Sequence, residues 1–446
     1  MLPYHAKELK EPIMSARLYS FLAAFATLSA TAVETSVSVT GQSYDSAERT
    51  MTVTYSLVAD APMIVTLNIL DAYGNAVDAA KTRAVRGDVN RLVEPGDGKR
   101  IVWHAVGFGG ELSTVNCRAN VQAWAVDNPP DVMVIDLVKR ADGKYDVAYY
   151  PSLESIPDGL TKSLEYKTTK LVMKHVHRPV GGKWIMGSYD ECSASQRGNE
   201  TQHEVSISGD YWLGVFELTQ YQAYLINDNA NLNNNFGGAY WKGDSGRYET
   251  RPLENTCFNF IRGATVYPAA PSDGCILGKL KTRCGYAFDF PSEVQWEYAA
   301  RAGHAPGMWG DGSAMALNGS ANPWTQGEIA DTNLNKMACY RYNPASGGGT
   351  MPVGSLKPND WGFYDMHGNV NEMCLDYWVN DITGSGGAIQ VKVGEQSGSD
   401  EFSYRGGAYE DAFFNCRPCL RNNKQARNTN NKTIGVRLCA PIAPVE

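Results

Sequence analysis

Phe290-Pro291-Ser292-Glu293-Val294-Gln295-Trp296-Glu297-Tyr298-Ala299-Ala300, followed by Gly303, is the stretch on which the reading of the fold turns. Ser292 with Gln295 three places on is a capping box: each side chain satisfies an amide that the first helical turn leaves unpaired. Gly303 supplies the left-handed residue that closes such a helix. A second box, Thr219 with Gln222, precedes Ala223-Tyr224-Leu225-Ile226. Around these two short helices, from Lys170 onward, regular elements are few and the loops are long and rich in Gly, Asn and aromatic residues. That combination predicts a loop-rich α+β domain, with no repeat at a solenoid or propeller period.

Upstream the pattern changes to period two. Thr50-Met51-Thr52-Val53-Thr54-Tyr55-Ser56-Leu57, Ile64-Val65-Thr66-Leu67-Asn68-Ile69, Arg100-Ile101-Val102-Trp103 and Asn120-Val121-Gln122-Ala123-Trp124 alternate between turn residues. Residues 33–127 therefore read as an all-β sandwich of Ig-like type. They hold no cluster of acid, base and nucleophile, which suits a spacer or binding module. Asp127-Asn128-Pro129-Pro130 marks a boundary, and residues 128–169, with one strand-like run at Val132-Met133-Val134-Ile135, read as a linker.

The whole chain has 446 residues, more than one ordinary core accommodates. Hydrophobic residues at 43% and charged residues at 20% exclude wholesale disorder. A formal charge of -8 without a basic cluster excludes a nucleic-acid surface. Between Met14 and Ala32, Arg17 precedes the apolar run Leu18 to Leu28 and an Ala30-Thr31-Ala32 ending. Residues 1–32 thus read as an N-terminal extension and secretory signal peptide starting at Met14. The expected location is secreted, periplasmic or cell-surface, and no later run is long enough to span a bilayer. The ten cysteines permit disulfides in such a compartment.

Eight separated segments then match one pattern in order. They are Trp184-Ile185-Met186-Gly187-Ser188, Glu200-Thr201-Gln202-His203-Glu204-Val205, Gly214-Val215-Phe216-Glu217-Leu218-Thr219, Arg251-Pro252-Leu253-Glu254-Asn255, the stretch quoted at the outset, Gly362 to Val370, Tyr404-Arg405-Gly406-Gly407 and Gly435-Val436-Arg437. Together these resemble the formylglycine-generating enzyme, or sulfatase-modifying factor, family over residues 170–441. The resemblance implies a C-type-lectin-like fold stapled by calcium and buried aromatics. Relatives include copper-dependent oxidases that convert a sulfatase cysteine to formylglycine, iron-dependent sulfoxide synthases and members without a known reaction, so membership alone does not fix the chemistry.

In the oxidases of this family, Cu(I) is held by two cysteines five apart after a Gly-Gly-Ser-aromatic turn, since soft thiolates suit that ion. Here the turn reads Gly406-Gly407-Ala408-Tyr409-Glu410-Asp411. Ala408 replaces the serine, Asp411 replaces the first thiolate with a hard oxygen, and only Cys416 remains. Cys419 offers a replacement thiolate, and Cys416-Arg417-Pro418-Cys419 can also be read as a redox pair. The alternative is that both are structural cysteines with Cys374 and Cys439 as partners.

Asp365-Met366-His367-Gly368-Asn369-Val370-Asn371-Glu372 offers oxygens from Asp365, Gly368, Val370 and Glu372, a mixture of carboxylates and carbonyls of the kind calcium takes. It also matches a calcium-binding segment of the family, although Asn371 and Met373 replace its usual tryptophans. The plainer reading is that Asp365 and Glu372 cap turns. His175 and His177 have ligand-like spacing on a strand, but the sequence offers no third ligand at a matching distance. His203 and His367 fall in family segments and are read as orienting loops. Gly243-Asp244-Ser245-Gly246 copies a protease nucleophile segment without its histidine and aspartate partners.

The expected function is that of an exported, non-catalytic or divergent member, binding a protein, peptide or glycan through loop aromatics such as Tyr240, Trp241 and Trp309. The alternative is a metal-dependent oxidase acting on a sulfatase cysteine, with Cys416 and either Cys419 or Asp411 completing the centre.

Overall fold

The alternation of the N-terminal third resolves into seven strands: β1 (Ser36–Asp45), β2 (Thr50–Val58), β3 (Met63–Leu70), β4 (Thr82–Gly87), β5 (Arg91–Val93), β6 (Gly96–Ala105) and β7 (Arg118–Trp124). The computed structural model describes residues 34–78, 81–105, 117–188, 199–228, 250–315, 331–343, 347–390, 400–421 and 423–445. The expected signal segment, the Gly243–Gly246 run and Tyr240-Trp241 lie outside them. Strands β1-β2-β6-β4 form one antiparallel sheet and β5-β3-β7 another. Along β2 the residues Met51, Val53, Tyr55 and Leu57 point inward while the threonines and Ser56 between them stay half-exposed. This is the period-two rule acting on one buried face. They pack on Val65, Leu67, Ile101 and Trp103 in one core.

The segment read as a linker is not one. Within 128–169, β8 (Val132–Asp136) and β9 (Asp146–Tyr150) form a hairpin. With β10 (Lys170–Val176), β13 (Tyr211–Gly214) and β18 (Cys439–Pro441) it completes a five-stranded sheet of order β18-β13-β10-β8-β9. The reason is burial: all of Val132, Met133, Val134 and Ile135 are inside, so the run is a central strand with both faces covered and shows no alternation. Tyr149 N donates to Asn90 O at 2.9 Å. Ile64 of the N-terminal sheets enters the core of the second unit.

Two further sheets complete that unit: β11 (Lys183–Met186) with β12 (His203–Ser206), and β14 (Asn371–Tyr377), β15 (Glu401–Arg405), β16 (Asn423–Ala426) and β17 (Ile434–Gly435) in the order β16-β15-β14-β17. Among the described residues four α-helices join them: α1 (Gln220–Ile226), α2 (Phe258–Arg262), α3 (Ile276–Cys284) and α4 (Glu293–Arg301). Both capping boxes form. Gln222 N donates to Thr219 Oγ1 at 3.2 Å and Thr219 N to Gln222 Oε1 at 3.0 Å. The Ser292–Gln295 pair does the same at 3.2 and 2.9 Å. The left-handed cap of α4 is Ala302, at φ 50°, one residue earlier than the Gly303 the sequence suggested, which follows at φ 83°. Helices α2 and α3 carry no capping box in the sequence. Helix α3 begins at Cys275, whose sulfur accepts from Gly278 N at 3.4 Å; cysteine lies outside the usual capping residues.

Among the described residues, no helix is long and apolar enough to cross a membrane.

Candidate functional site

The charged residues of α4 face inward and form a buried ionic lattice. Glu293 receives Arg405 Nε at 2.9 Å and Arg421 Nε at 2.7 Å, while Glu297 receives Arg301 at 2.6 Å and Arg405 Nη1 at 3.1 Å. Burial alone would raise the Glu293 carboxyl, but Arg421 and Arg405 hold it down at about 2. Each guanidinium in turn satisfies carbonyls of neighbouring loops: Arg405 reaches Pro418 O at 2.8 Å and Arg421 reaches Asn199 O at 3.1 Å. Planar donors with several N–H groups suit this tying of irregular backbone. The lattice therefore sets the position of the turn that follows Arg405.

That turn runs through Gly406 (φ 98°) and Gly407 (φ 76°). A side chain at Gly407 would meet Asn415 O at 2.8 Å and Cys416 Sγ at 3.0 Å, so the turn lies directly on the cysteine. Asp411 Oδ2 accepts from Ala408 N at 2.9 Å and Oδ1 from Asn415 Nδ2 at 3.4 Å. Burial raises its carboxyl, against the opposing pull of the Ala408 amide. Asp411 thus caps its own turn. Cys416 is fully buried among Trp309, Tyr340, Phe413 and Phe414, and burial, with the charges of Asp411 and Cys339, pushes its thiol well above the usual range. A thiol held neutral in this way is a poor nucleophile in the metal-free protein.

Cys419 belongs to different surroundings. Its sulfur accepts from Arg417 Nη1 at 3.4 Å, beside the buried Arg417–Glu200 pair at 2.9 Å. Burial pushes this thiol up to about 12, against the pull of Arg417. Cys374 packs with Val294 and Trp296, and Cys439 lies in β18. The disulfide expectation fails for the described residues, where all nine cysteines are free. Cys416 packs in a different cluster from Cys374 and Cys439, and Cys419 lies against the Arg417–Glu200 pair.

Trp309, expected on an exposed contact surface, is fully buried, with Nε1 donating to Asp331 Oδ2 at 3.1 Å. Beside Asp411 the surface opens instead into a cleft of about 200 Å³, lined by Asn371, Lys424, Gln425, Asn431 and Thr433. Its lining is almost wholly polar. Asn371, where the family carries a tryptophan, helps to form it.

The loop from Asp365 to Glu372 is fastened internally. Both Glu372 oxygens accept from Arg437, at 2.6 to 3.0 Å, and Oε2 also accepts from Trp296 Nε1 at 2.5 Å. Asp365 Oδ2 accepts from Gly354 N at 2.7 Å. Glu217, which sequence reading passed over as a site residue, receives Asn369 Nδ2 at 2.6 Å and Val370 N at 3.1 Å. A calcium ion does not fit a shell of Asp365, Gly368, Val370 and Glu372, because the arginine and the indole already fill the Glu372 acceptor sites. Cu(I) does not fit either: the position of its first thiolate is a capping carboxylate. His367 joins the two regions. Nδ1 faces Cys416 O at 3.0 Å and Gly310 N donates to Nε2 at 3.3 Å, so the partners assign a neutral ring protonated at Nδ1. Burial lowers it to about 4.

His175 and His177 do find carboxylates. Asp210 Oδ2 lies 3.0 Å from His175 Nε2 and 3.0 Å from His177 Nδ1, and Asp131 Oδ1 lies 3.8 Å from His177 Nε2. Neither aspartate was legible as a partner, since each reaches the histidines only across the sheet.

A family model described as sulfatase-modifying factor enzyme 1-like domain matches residues 166–442. The formylglycine-generating enzyme of Bos taurus is 28% identical over 158 residues, covering 34% of this chain and 39% of that protein. That of Mycobacterium tuberculosis is 42% identical over 84 residues, 18% of this chain and 25% of the other. The matched stretches thus span less than half the length of these curated relatives. Among solved structures, PvdO from Pseudomonas aeruginosa aligns with a TM-score of 0.44 at 20% identity, covering 60% of this chain and 94% of that one.

Proposed function

The chain belongs to the sulfatase-modifying factor enzyme 1-like family, and from that premise we propose that it is an exported, non-catalytic member which binds a protein, peptide or glycan. The observation that carries this reading is the state of the Gly406–Cys416 turn. Asp411 occupies the first thiolate position and spends its carboxylate on Ala408 N. Cys416 is a buried neutral thiol. The cleft of about 200 Å³ beside them offers amide, ammonium and hydroxyl groups from Asn371, Lys424, Gln425, Asn431 and Thr433. Such groups suit a peptide backbone or sugar hydroxyls. Export rests on the Arg17, Leu18 to Leu28 and Ala30-Thr31-Ala32 pattern. The N-terminal pair of sheets is read as an Ig-like sandwich that spaces or anchors the second unit.

The second reading, a metal-dependent oxidase of a sulfatase cysteine, rests on the retained Cys416 and on the activity named for the curated relatives. One experiment separates the two. The purified chain is titrated with Cu(I) against a competing chelator and incubated with a cysteine-containing sulfatase peptide followed by mass spectrometry. The expected result is no stoichiometric copper and an unchanged peptide thiol, with Cu(I) binding gained in Asp411→Cys. Copper binding by the unaltered chain with conversion of the cysteine to an aldehyde overturns the proposal. On peptide and glycan arrays, the chain retains its ligand and Lys424→Glu loses it.

A further inference from the structure

We propose that the protein binds a divalent transition-metal ion, Zn(II) by donor type, at Asp131, His175 and His177, with Asp210 against both rings, on the wall of a cleft separate from the Asp411 turn. The register of the five-stranded sheet assembles these groups. Strand β10 carries His175 and leads into His177. In its pairing with β8, Lys174 lies opposite Val132, which sets Asp131 beside His175, and His175 N donates to Asp131 O at 2.8 Å. In its pairing with β13, Val176 lies opposite Tyr211, which sets Asp210 against the two histidines. Strands β8 and β10 therefore deliver Asp131 and the two imidazoles to one point, and β13 sets Asp210 against both rings.

The distances suit a tetrahedral ion. Zinc bonds of about 2.1 Å to nitrogen and oxygen place ligand atoms about 3.4 Å from one another. Here Asp131 Oδ1 stands 3.8 Å from His177 Nε2, and ligand atoms of Asp131, His175 and His177 all fall within 4.8 Å of one another, while Asp210 Oδ2 stands 3.0 Å from His175 Nε2 and 3.0 Å from the other His177 nitrogen, Nδ1. Two imidazoles with carboxylates favour Zn(II) among the common dications.

Hydrogen bonding points the same way. A neutral imidazole has one N–H, yet both His175 nitrogens face oxygens: Nδ1 faces Pro129 O at 3.3 Å and Nε2 faces Asp210 Oδ2 at 3.0 Å. A neutral ring leaves one contact lone pair against lone pair, and only a second proton or a bound cation satisfies both. A cation at Nε2 resolves it, leaving Nδ1–H to donate to the Pro129 carbonyl, the arrangement by which metal-bound histidines are commonly oriented. Arg178 N donates to Asp210 Oδ1 at 3.0 Å and holds that carboxylate in place. His175 is buried while His177 stays exposed. The site opens on a cleft of about 980 Å³ that also includes Lys174, Trp361 and Asp360, so an ion has an entry path.

The test uses Co(II) and Zn(II) with the purified chain. The expected result is one equivalent of Co(II) with the visible absorption of a tetrahedral nitrogen–oxygen site, displaced by Zn(II). Asp131→Asn and His177→Gln, both outside the buried core, should weaken binding by at least about tenfold without changing the melting temperature of the metal-free protein. Absence of Co(II) and Zn(II) binding, equal binding by both variants, or a thiolate charge-transfer band placing the metal on cysteine would each overturn the assignment.

Discussion

Arg437 grips Glu372 through both carboxylate oxygens, at 2.6 to 3.0 Å, with neither side chain exposed to solvent. The same guanidinium donates to the carbonyls of Gly214, Val215 and Tyr364 at 2.7 to 3.0 Å, so one side chain pins β13, the turn before Asp365 and β14 together.

Removing the cation while leaving the carboxylate is costly, since a lone buried charge keeps its desolvation penalty. Arg437→Met should destabilise the protein by about 3 to 5 kcal/mol, measured by urea unfolding. Adding calcium to the unaltered protein should leave its melting temperature where it was, because Glu372 is already engaged.

His367 makes the fold sensitive to acid. Its ring is depressed from 6.5 to about 4 in the folded protein. The unfolded chain therefore binds the proton first as pH falls. Full stability is present above pH 6.5 and is lost progressively toward pH 4, by on the order of 3 kcal/mol for this group. The difference in unfolding free energy between the unaltered protein and His367→Gln, followed from pH 7 to 4, should shrink over this interval. A difference that stays constant would remove the histidine as its source.

Asp365 works in the opposite direction. Burial raises its carboxyl from 3.8 to about 6, against the pull of the Gly354 amide and Arg437. The folded state holds this proton more tightly, so the contribution is present below pH 3.8 and is lost as pH rises through 6. Asp365→Asn, which keeps an acceptor for Gly354 N and tolerates the left-handed φ of 58°, should gain on the order of 3 kcal/mol relative to the unaltered protein between pH 4 and 8.

The cysteines give a fourth measurement. With nine free thiols among the described residues, seven of them buried, a colourless disulfide reagent should react slowly with the folded protein. In denaturant without reductant, it should titrate at least nine thiols. A smaller number would restore the disulfides that the sequence allowed.

What the sequence disclosed was local. The boxes at Thr219–Gln222 and Ser292–Gln295 span three residues each, and both form. The threonine-spaced apolar residues of β2 likewise declare their buried face. What stayed hidden depends on partners far along the chain. Asp210 meets His175 across a strand pair, and Asp131 meets it across another. Glu372 resembled a calcium ligand because its pairing with Arg437, sixty-five positions away, is invisible in a loop motif. Val132 to Ile135 lacked alternation because both of its faces are covered, and Cys275 carried no recognised capping signal.

The contact of Tyr149 with Asn90, together with Ile64 inside the neighbouring core, has a mechanical consequence. A β-hairpin reaching back onto the N-terminal sheets makes the junction a splice rather than a tether. Tension applied at the N-terminal end would load that hairpin before any slack could be taken up, so the polar cleft would keep a set bearing relative to whatever holds the other end.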